Sequence, residues 1–343
     1  MRNNNQPKIP TAMKFVIDSA IPYLQGVLEP YAQVVYLPGR EIGAADVRDA
    51  DALIVRTRTR CDASLLSGSR VRMIATATIG FDHIDLPWCA AQGIEVTTAA
   101  GCNARGVLQW VAAVLEALSR HQGWTPKQKT LGIIGVGHVG SLVKSYAELW
   151  GFRVLCCDPP REERERCGFL PLEEVARKAD LVTFHTPLDA TTRHMGNKTL
   201  LRQMKPDAVV INSSRGEVVD NEALYASGHP CVLDVWENEP DLHPGLLERA
   251  LLATPHIAGY SQQGKANAAA MSIAALARRF ALPLDGWYPS EVTPSAPCPI
   301  SWERLGSTIR DAYDIEAESR RLKSHPEDFE TLRDHYAYRK EYF

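Results

Sequence analysis

The stretch LGIIGVGHVGSLVKSYAELWGFRVLCCD, residues 131–158, decides how this chain is read. An apolar run over 131–135 enters the glycines Gly135, Gly137 and Gly140, and a helix-compatible segment over 138–150 leaves them. A G-x-G-x-x-G match alone means little, because glycine-rich turns are common; a strand before it and a helix behind it give it a mechanism. Gly135 permits the tight turn, Gly137 lets a pyrophosphate touch the main chain beside Val139, and Gly140 lets helix and strand pack closely. The helix N-terminus then presents unsatisfied N–H groups to the phosphates. Asp158 ends the next strand-like run, eighteen residues past Gly140. A carboxylate there accepts hydrogen bonds from ribose hydroxyls and repels a 2′-phosphate, so the expected cofactor is NAD rather than NADP. Arg161, three residues on, is the opposing signal.

Outward from this unit, short apolar and β-branched runs alternate with helix-capable segments. The first series has strands at 14–18, 52–57, 73–78 and 94–98, with helical stretches at 61–67 and 85–91. A long amphipathic segment at 104–120 follows, then a polar break. The second series has strands at 131–136, 153–158, 181–186, 208–214, 231–236 and 251–255, and a helix over 264–282 closes it. Such alternation, twice over, implies an α/β chain: two doubly wound parallel-sheet, Rossmann-like domains. From about 283 the chain is rich in proline and turns, then charged and aromatic, and it reads as a small C-terminal module. Trp302, Tyr313, Tyr336, Tyr338 and Tyr342 in that module are costly to expose and must pack on a partner subunit or on the chain's own surface.

The 343 residues suffice for two or three domains with a sizeable core. A net charge of −3 without a polybasic block argues against nucleic acid or an anionic membrane as partner. No apolar run approaches the roughly 20 residues of a membrane-spanning helix. Residues 1–12, MRNNNQPKIPTA, lack the apolar core of a secretory signal and read as a disordered extension. Eight cysteines occur without a CxxC pair or a zinc-like spacing, so no metal site is expected, and a reducing cytoplasm fits them best.

Open α/β sheets bind ligands beyond the carboxyl ends of their strands. Arg215 follows VVINSS, Glu239 lies in ENEP after CVLDVW, and His256 follows LLATP. These three types suit hydride transfer from a 2-hydroxy acid. An arginine grips the carboxylate in two-point fashion and polarises the C2 oxygen. A histidine takes the hydroxyl proton, and a carboxylate orients the ring and favours its protonated form. The competing readings are a surface ion-pair partner for Arg215, a solvated loop carboxylate for Glu239 and a packed histidine for His256. His185 in TFHTP reads as cofactor lining or packing, with Thr186 and Pro187 bordering the nicotinamide.

Taken in order, GVGHVG with Asp158, FHTPL, INSSRGEVVD, DVWENEP and TPHIAGY resemble the D-2-hydroxyacid dehydrogenase family over residues 14–282. That resemblance implies a discontinuous substrate domain, 13–103 with 258–290, around an NAD-binding domain at 104–257. It further implies that Arg215, Glu239 and His256 are catalytic and that Asp158, Thr186, Asp234 and Gly259 touch NAD. LPGREI, ATATIGFDHID, AAGCNARGV, VLCCDPPR and HIAGYSQQGKA are similar to a member acting on a small phosphorylated 2-hydroxy acid. By the same likeness Thr57, Thr78 and Tyr260 touch substrate, and residues 291–343 resemble a dimerisation module, which implies a homodimer. Arg56, Arg58 and Arg60 are cations available to a phosphate, and as alternate residues they point together for as long as strand conformation lasts; a solvated basic edge is the alternative, and of the three Arg56 is the candidate. Gln109 stands where many family members carry glutamate, and the C-terminal module is shorter than usual. The alternatives are a sibling D-2-hydroxyacid dehydrogenase acting on another acid, such as a phosphoglycerate or glycerate, and, from another functional class, an NAD-responsive binding or corepressor protein.

Overall fold

The computed structural model describes residues 13–343, so the expectation for residues 1–12 lies outside the described residues. The chain divides into two compact units. One holds the residues up to Cys102 together with Gln263–Thr293, and the other holds Asn103–Gln262 with Pro294–Phe343.

The first unit is built on five parallel strands: β1 (Lys14–Asp18), β2 (Gln33–Leu37), β3 (Ala52–Val55), β4 (Met73–Thr76) and β5 (Glu95–Thr98). Their order is β2-β1-β3-β4-β5, with Phe15 opposite Val34 on one side and Ala52 on the other. β3 and β4 are buried along their whole length, as strands covered on both faces must be. Helix Gln262–Phe280 covers one face, where Ala269, Ile273 and Leu276 meet Phe15, Ile17 and Ile54 in one core. Leu65, Leu66 and Cys89 of the short helices fill the core on the other. β2 was absent from the sequence reading. It is a sheet-edge strand with no fully buried residue, so its QVVYL run gives no signal as strong as those of β3 and β4.

In the second unit six parallel strands follow: β6 (Thr130–Ile134), β7 (Arg153–Cys157), β8 (Leu181–Phe184), β9 (Val209–Asn212), β10 (Cys231–Leu233) and β11 (Leu252–Ala253). The order β11-β10-β9-β8-β6-β7 puts the reversal of winding between β6 and β8, where such sheets open a ligand crevice. The strands stop earlier than the apolar runs. β10 ends at Leu233 rather than Trp236, and β8 at Phe184 rather than Thr186. The residues beyond these ends form the loops that carry the polar groups.

Helix Ala104–Gln122 supplies Leu108, Trp110, Val111, Val114 and Leu115 to the core against β6, and Gly123 at φ +69° ends it. Onto this helix and helix His138–Trp150 fold the C-terminal helices Trp302–Ala312 and Ile315–Ser324. Ile300, Leu305, Ile309, Tyr313 and Phe343 join the same core, and Trp150 meets Trp302 at 5.7 Å between ring centres. The tail aromatics therefore pack on the chain's own second unit. Gln109 is buried and its amide donates to the Phe343 carbonyl at 3.3 Å, a bond that a carboxylate in its place could not make. All eight cysteines are unpaired. Among the described residues, no helix is long and apolar enough to cross a membrane.

Candidate active site

Polar groups gather beyond the carboxyl ends of β6 to β11 in the second unit. After β6, Gly135 adopts φ +85°, and a Cβ there would stand 2.7 Å from the His185 carbonyl oxygen. At Gly140 a Cβ would stand 2.0 Å from the Gly135 carbonyl oxygen, so only hydrogen lets the helix start this close to its strand. Gly137 differs: a Cβ there meets nothing within 4 Å. It begins helix His138–Trp150 without a side-chain cap, which leaves the first N–H groups facing outward. Val139 lies half-buried on the first turn of that helix.

Asp158 follows β7 and closes the glycine loop. One carboxylate oxygen accepts the Val136 N–H at 2.7 Å and the other the Arg161 N–H at 3.0 Å. Each keeps a lone pair for a ribose hydroxyl. The Arg161 guanidinium is committed elsewhere: it pairs with Glu165 at 2.6 Å, donates to the Val136 carbonyl at 2.7 Å and lies over the Phe169 ring. The opposing signal for NADP thus has a local use.

The hydroxyl of Thr186, whose methyl a Cβ at Gly135 would meet at 2.9 Å, and that of Ser213 after β9 are buried without a hydrogen-bond partner. Orphaned hydroxyls next to an open glycine backbone and an uncapped helix fit a dinucleotide, whose ribose, phosphate and carboxamide groups would satisfy them. His185 Nε2 hydrogen-bonds Thr183 Oγ1 at 3.0 Å, and burial pulls its imidazole down to about 3.

Arg215 follows β9. Asn212, fully buried, donates to the Arg215 carbonyl at 2.8 Å and accepts from the Ser214 N–H at 3.0 Å, which fixes the turn. A Cβ at the next residue, Gly216, would stand 2.0 Å from the Trp236 carbonyl oxygen, so the Arg215 turn packs directly on the loop after β10.

That loop carries two glutamates with separate duties. Glu237 turns to His194 at 2.6 Å and accepts the Asn221 N–H at 2.8 Å. Glu239 turns to His256: its Oε2 lies 2.8 Å from Nδ1, while Oε1 accepts the Trp236 N–H at 3.0 Å. A carboxylate only accepts, so the Nδ1 proton sits in this bond and Nε2 of the neutral ring keeps a lone pair. Burial pushes the Glu239 carboxyl up, but the charge and hydrogen bond of His256 and the Arg333 guanidinium more than reverse this and leave it below its ordinary value.

His256 has φ +58°, a left-handed conformation uncommon outside glycine. The loop holds it there by force of numbers. The His256 N–H donates to the Asp234 carbonyl at 2.7 Å. The Asp234 carboxylate accepts from Thr254 Oγ1 at 2.6 Å and from the Ile257 and Ala258 N–H groups at 2.8 and 2.9 Å. Asp234 is buried, and burial raises its carboxyl despite the His256 charge and these three donors. Expected as a cofactor contact, its side chain is thus engaged in bracing the histidine loop. Gly259 ends the loop where a Cβ would strike the Asn103 amide at 2.0 Å.

Two arginines absent from the sequence reading meet this loop from the C-terminal segment. Arg339 is buried and donates to the carbonyls of Ala258 at 2.5 Å, Ile257 at 3.1 Å and Gly106 at 3.2 Å. Arg333 donates from Nε to the Tyr260 hydroxyl at 3.2 Å, and its Nη1 lies 3.7 Å from Glu239 Oε2. The orphan-loving chemistry of the loop gave no hint of either, since both lie in a segment with no strand pattern.

Three candidate substrate residues belong to the first unit. Thr57 is exposed in the turn after β3. Thr78 hydrogen-bonds Thr76 Oγ1 at 2.6 Å and the Gly80 carbonyl at 3.0 Å. Arg56 donates from Nε to the buried carboxylate of Asp18 at 2.9 Å. Because β3 ends at Val55, the strand alternation that would align Arg56, Arg58 and Arg60 does not extend to them. Arg60 pairs with Asp62 at 2.6 Å on the surface.

Comparison with known proteins adds to this geometry. Residues 104–258 match the family model described as D-isomer specific 2-hydroxyacid dehydrogenase, NAD binding domain. An erythronate-4-phosphate dehydrogenase of Bacteroides fragilis is 45% identical over 96% of this chain and 97% of its own length. One from Salmonella paratyphi B is 38% identical, over 96% and 92%. Among solved structures, the D-lactate dehydrogenase of Aquifex aeolicus complexed with NAD and lactic acid is similar, with a TM-score of 0.68 and 26% identity over 82% of this chain and 100% of that one.

Proposed function

This chain belongs to the D-2-hydroxyacid dehydrogenase family, an NAD-dependent oxidoreductase, and from that premise we propose that it oxidises 4-phospho-D-erythronate to (R)-3-hydroxy-2-oxo-4-phosphooxybutanoate in the biosynthesis of pyridoxal 5′-phosphate. The substrate rests on the name carried by relatives 45% and 38% identical along nearly the whole chain. The observation that carries the chemistry is the His256–Glu239 pair at 2.8 Å, held on a loop of strained backbone in the NAD-binding unit.

Bound NAD supplies the hydride acceptor. Gly135, Gly137, Val139 and Gly140 cradle its pyrophosphate; Asp158 takes the ribose hydroxyls, and Thr186, Asp234 and Gly259 border the rest. The Arg215 guanidinium grips the C1 carboxylate and polarises the C2 oxygen. Nε2 of His256 accepts the C2 hydroxyl proton as the C2–H bond gives up its electron pair, and the oxygen's electrons close the C=O bond. Glu239 keeps the Nδ1 proton in place and stabilises the imidazolium that forms. Thr57, Thr78 and Tyr260 contact the substrate, and Arg56, aimed by Asp18, takes its phosphate. The reading includes a homodimer through residues 291–343 and a cytoplasmic setting in which the eight cysteines stay reduced.

The test is formation of the 2-oxo acid product from 4-phospho-D-erythronate with NAD, beside 3-phospho-D-glycerate, with a second 2-oxo acid supplied as a possible electron acceptor and His256→Ala alongside. Selective turnover of phosphoerythronate that disappears in the variant supports the proposal. Turnover of phosphoglycerate alone refutes the substrate and keeps the chemistry.

A further inference from the structure

We propose that Arg333 is a positioning residue of this active site: its guanidinium holds the Glu239 carboxylate and the Tyr260 hydroxyl in place around His256, which makes the C-terminal segment part of the catalytic apparatus of its own chain. The inference rests on the reading of His256 and Glu239 as the proton-transfer pair.

Arg333 sits on the short helix Phe329–Asp334, which is anchored from beneath by Phe329 and Leu332 in the core of the second unit. Its side chain is 16% exposed, unusual for an arginine on the outermost layer of a fold. A covered guanidinium needs nearby negative charge or acceptors to offset its lost hydration. Here the compensation is Glu239 Oε2 at 3.7 Å and the Tyr260 hydroxyl at 3.2 Å. Both are groups of the site, one orienting the histidine and one four residues beyond it. Burial pulls the guanidinium down, and Tyr260, Glu239 and Asp234 together hold it above its ordinary value, so the charge is permanent.

The geometry also gives the arginine a task at the carboxylate. Glu239 has its Oε1 on the Trp236 N–H, and its Oε2 alone faces the imidazole. With the cation close to Oε2, that oxygen is drawn between Nδ1 and Nη1, which restricts rotation of the carboxylate away from the ring. Tyr260 is fixed in a similar way, its ring between those of Tyr336 and Tyr338, at 6.1 and 6.0 Å between centres. Arg339, seated on the carbonyls of Ile257 and Ala258, holds the segment in register, so Arg333 arrives at the pair by construction of the fold.

The experiment compares the full-length wild type with Arg333→Met, Arg333→Gln and Arg333→Lys, using two readouts. Steady-state oxidation of 4-phospho-D-erythronate gives kcat and KM, and an 15N correlation spectrum of the NAD-bound enzyme gives the tautomer of His256 without turnover. Loss of one charge-assisted support in the neutral variants lowers kcat about 10- to 100-fold, and any rise in KM through Tyr260 stays smaller than that fall. The spectrum changes from a single Nδ1–H tautomer to a mixture, and Arg333→Lys restores most of both. An unchanged tautomer in folded Arg333→Met or Arg333→Gln protein overturns the proposal. So does an unchanged kcat with KM raised more than about tenfold, because Arg333 would then be a substrate anchor. If wild type fails to oxidise phosphoerythronate, the substrate assignment falls while the histidine spectrum still decides the role of Arg333.

Discussion

Replacing Glu239 by glutamine tests the core of the mechanism with almost no change of shape. The carboxylate makes two bonds, Oε1 with the Trp236 N–H at 3.0 Å and Oε2 with His256 Nδ1 at 2.8 Å. Glutamine offers one oxygen and one NH2. If its oxygen stays on Trp236, the NH2 faces Nδ1 and can only donate, so the imidazole must move its proton to Nε2 and loses the lone pair that accepts the substrate proton. If the oxygen turns to His256, the NH2 opposes the Trp236 N–H, donor against donor, at a cost of about 1–3 kcal/mol. The missing negative charge opposite the developing imidazolium removes about 1.5–3 kcal/mol more. At about 1.4 kcal/mol per tenfold, kcat/KM should fall by roughly two to four powers of ten. NADH absorbance reads the rate, and protein fluorescence on titration with NAD should show unchanged affinity, because the glycine loop is untouched. The acid limb of stability gives an independent check. The Glu239 carboxyl lies below its ordinary value of 4.5 in the folded chain. Its contribution is therefore present above the unfolded pKa and lost as pH falls through the folded one. Denaturant midpoints of Glu239→Gln should decline less than those of wild type below 4.5. A kcat/KM within about threefold of wild type, or a loss located in NAD affinity, would refute the assignment.

The two central glycines should separate folding from binding. A methyl at Gly140 meets the Gly135 carbonyl oxygen at 2.0 Å, so Gly140→Ala should lower stability by about 1–3 kcal/mol in urea titration and weaken NAD together with it. A methyl at Gly137 meets nothing within 4 Å, so Gly137→Ala should melt close to wild type yet bind NAD at least about tenfold more weakly, as calorimetric titration would show. His185, pulled down to about 3 by burial, should stay neutral from pH 8 to 5 in histidine NMR spectra. Because the unfolded chain takes up that proton near 6.5 and the folded one does not, His185 should cost stability progressively as pH falls below 6.5, and His185→Gln should remove that slope.

Much of the candidate NAD site could be picked out from the sequence because its requirements are local. A glycine that must admit a carbonyl, or a carboxylate at the tip of the following strand, is specified within the thirty residues around Gly135. Arg215, Glu239 and His256 became candidates for a related reason: each follows an apolar strand, and parallel strands bring their carboxyl ends to one edge. Glu237, two residues before Glu239, has a separate partner that the sequence did not show, since it turns to His194. Strand ends were overshot where apolar residues continue past the ladder, as in Val235 and Trp236, which are buried in a loop. The same overshoot made Arg56, Arg58 and Arg60 look like one face of a strand that stops at Val55. Arg333 and Arg339 were invisible because their partners lie far back in the chain, and nothing in the local pattern distinguishes them from surface arginines. The structural duty of Asp234 was hidden likewise, its three donors belonging to a turn twenty residues later.

The seat of Arg339 on the Ile257 carbonyl spans 82 residues of sequence. A ribosome therefore finishes all six strands of the second sheet, the glycine loop and His256 well before it makes the residue that clasps the histidine turn. At that stage Ile257 and Ala258 lack the guanidinium that bonds their carbonyls, and the core around Trp110 and Trp150 lacks Ile300, Leu305, Ile309 and Phe343. Completion of the second unit's core and closure of the His256 turn therefore both wait on residues 300–343.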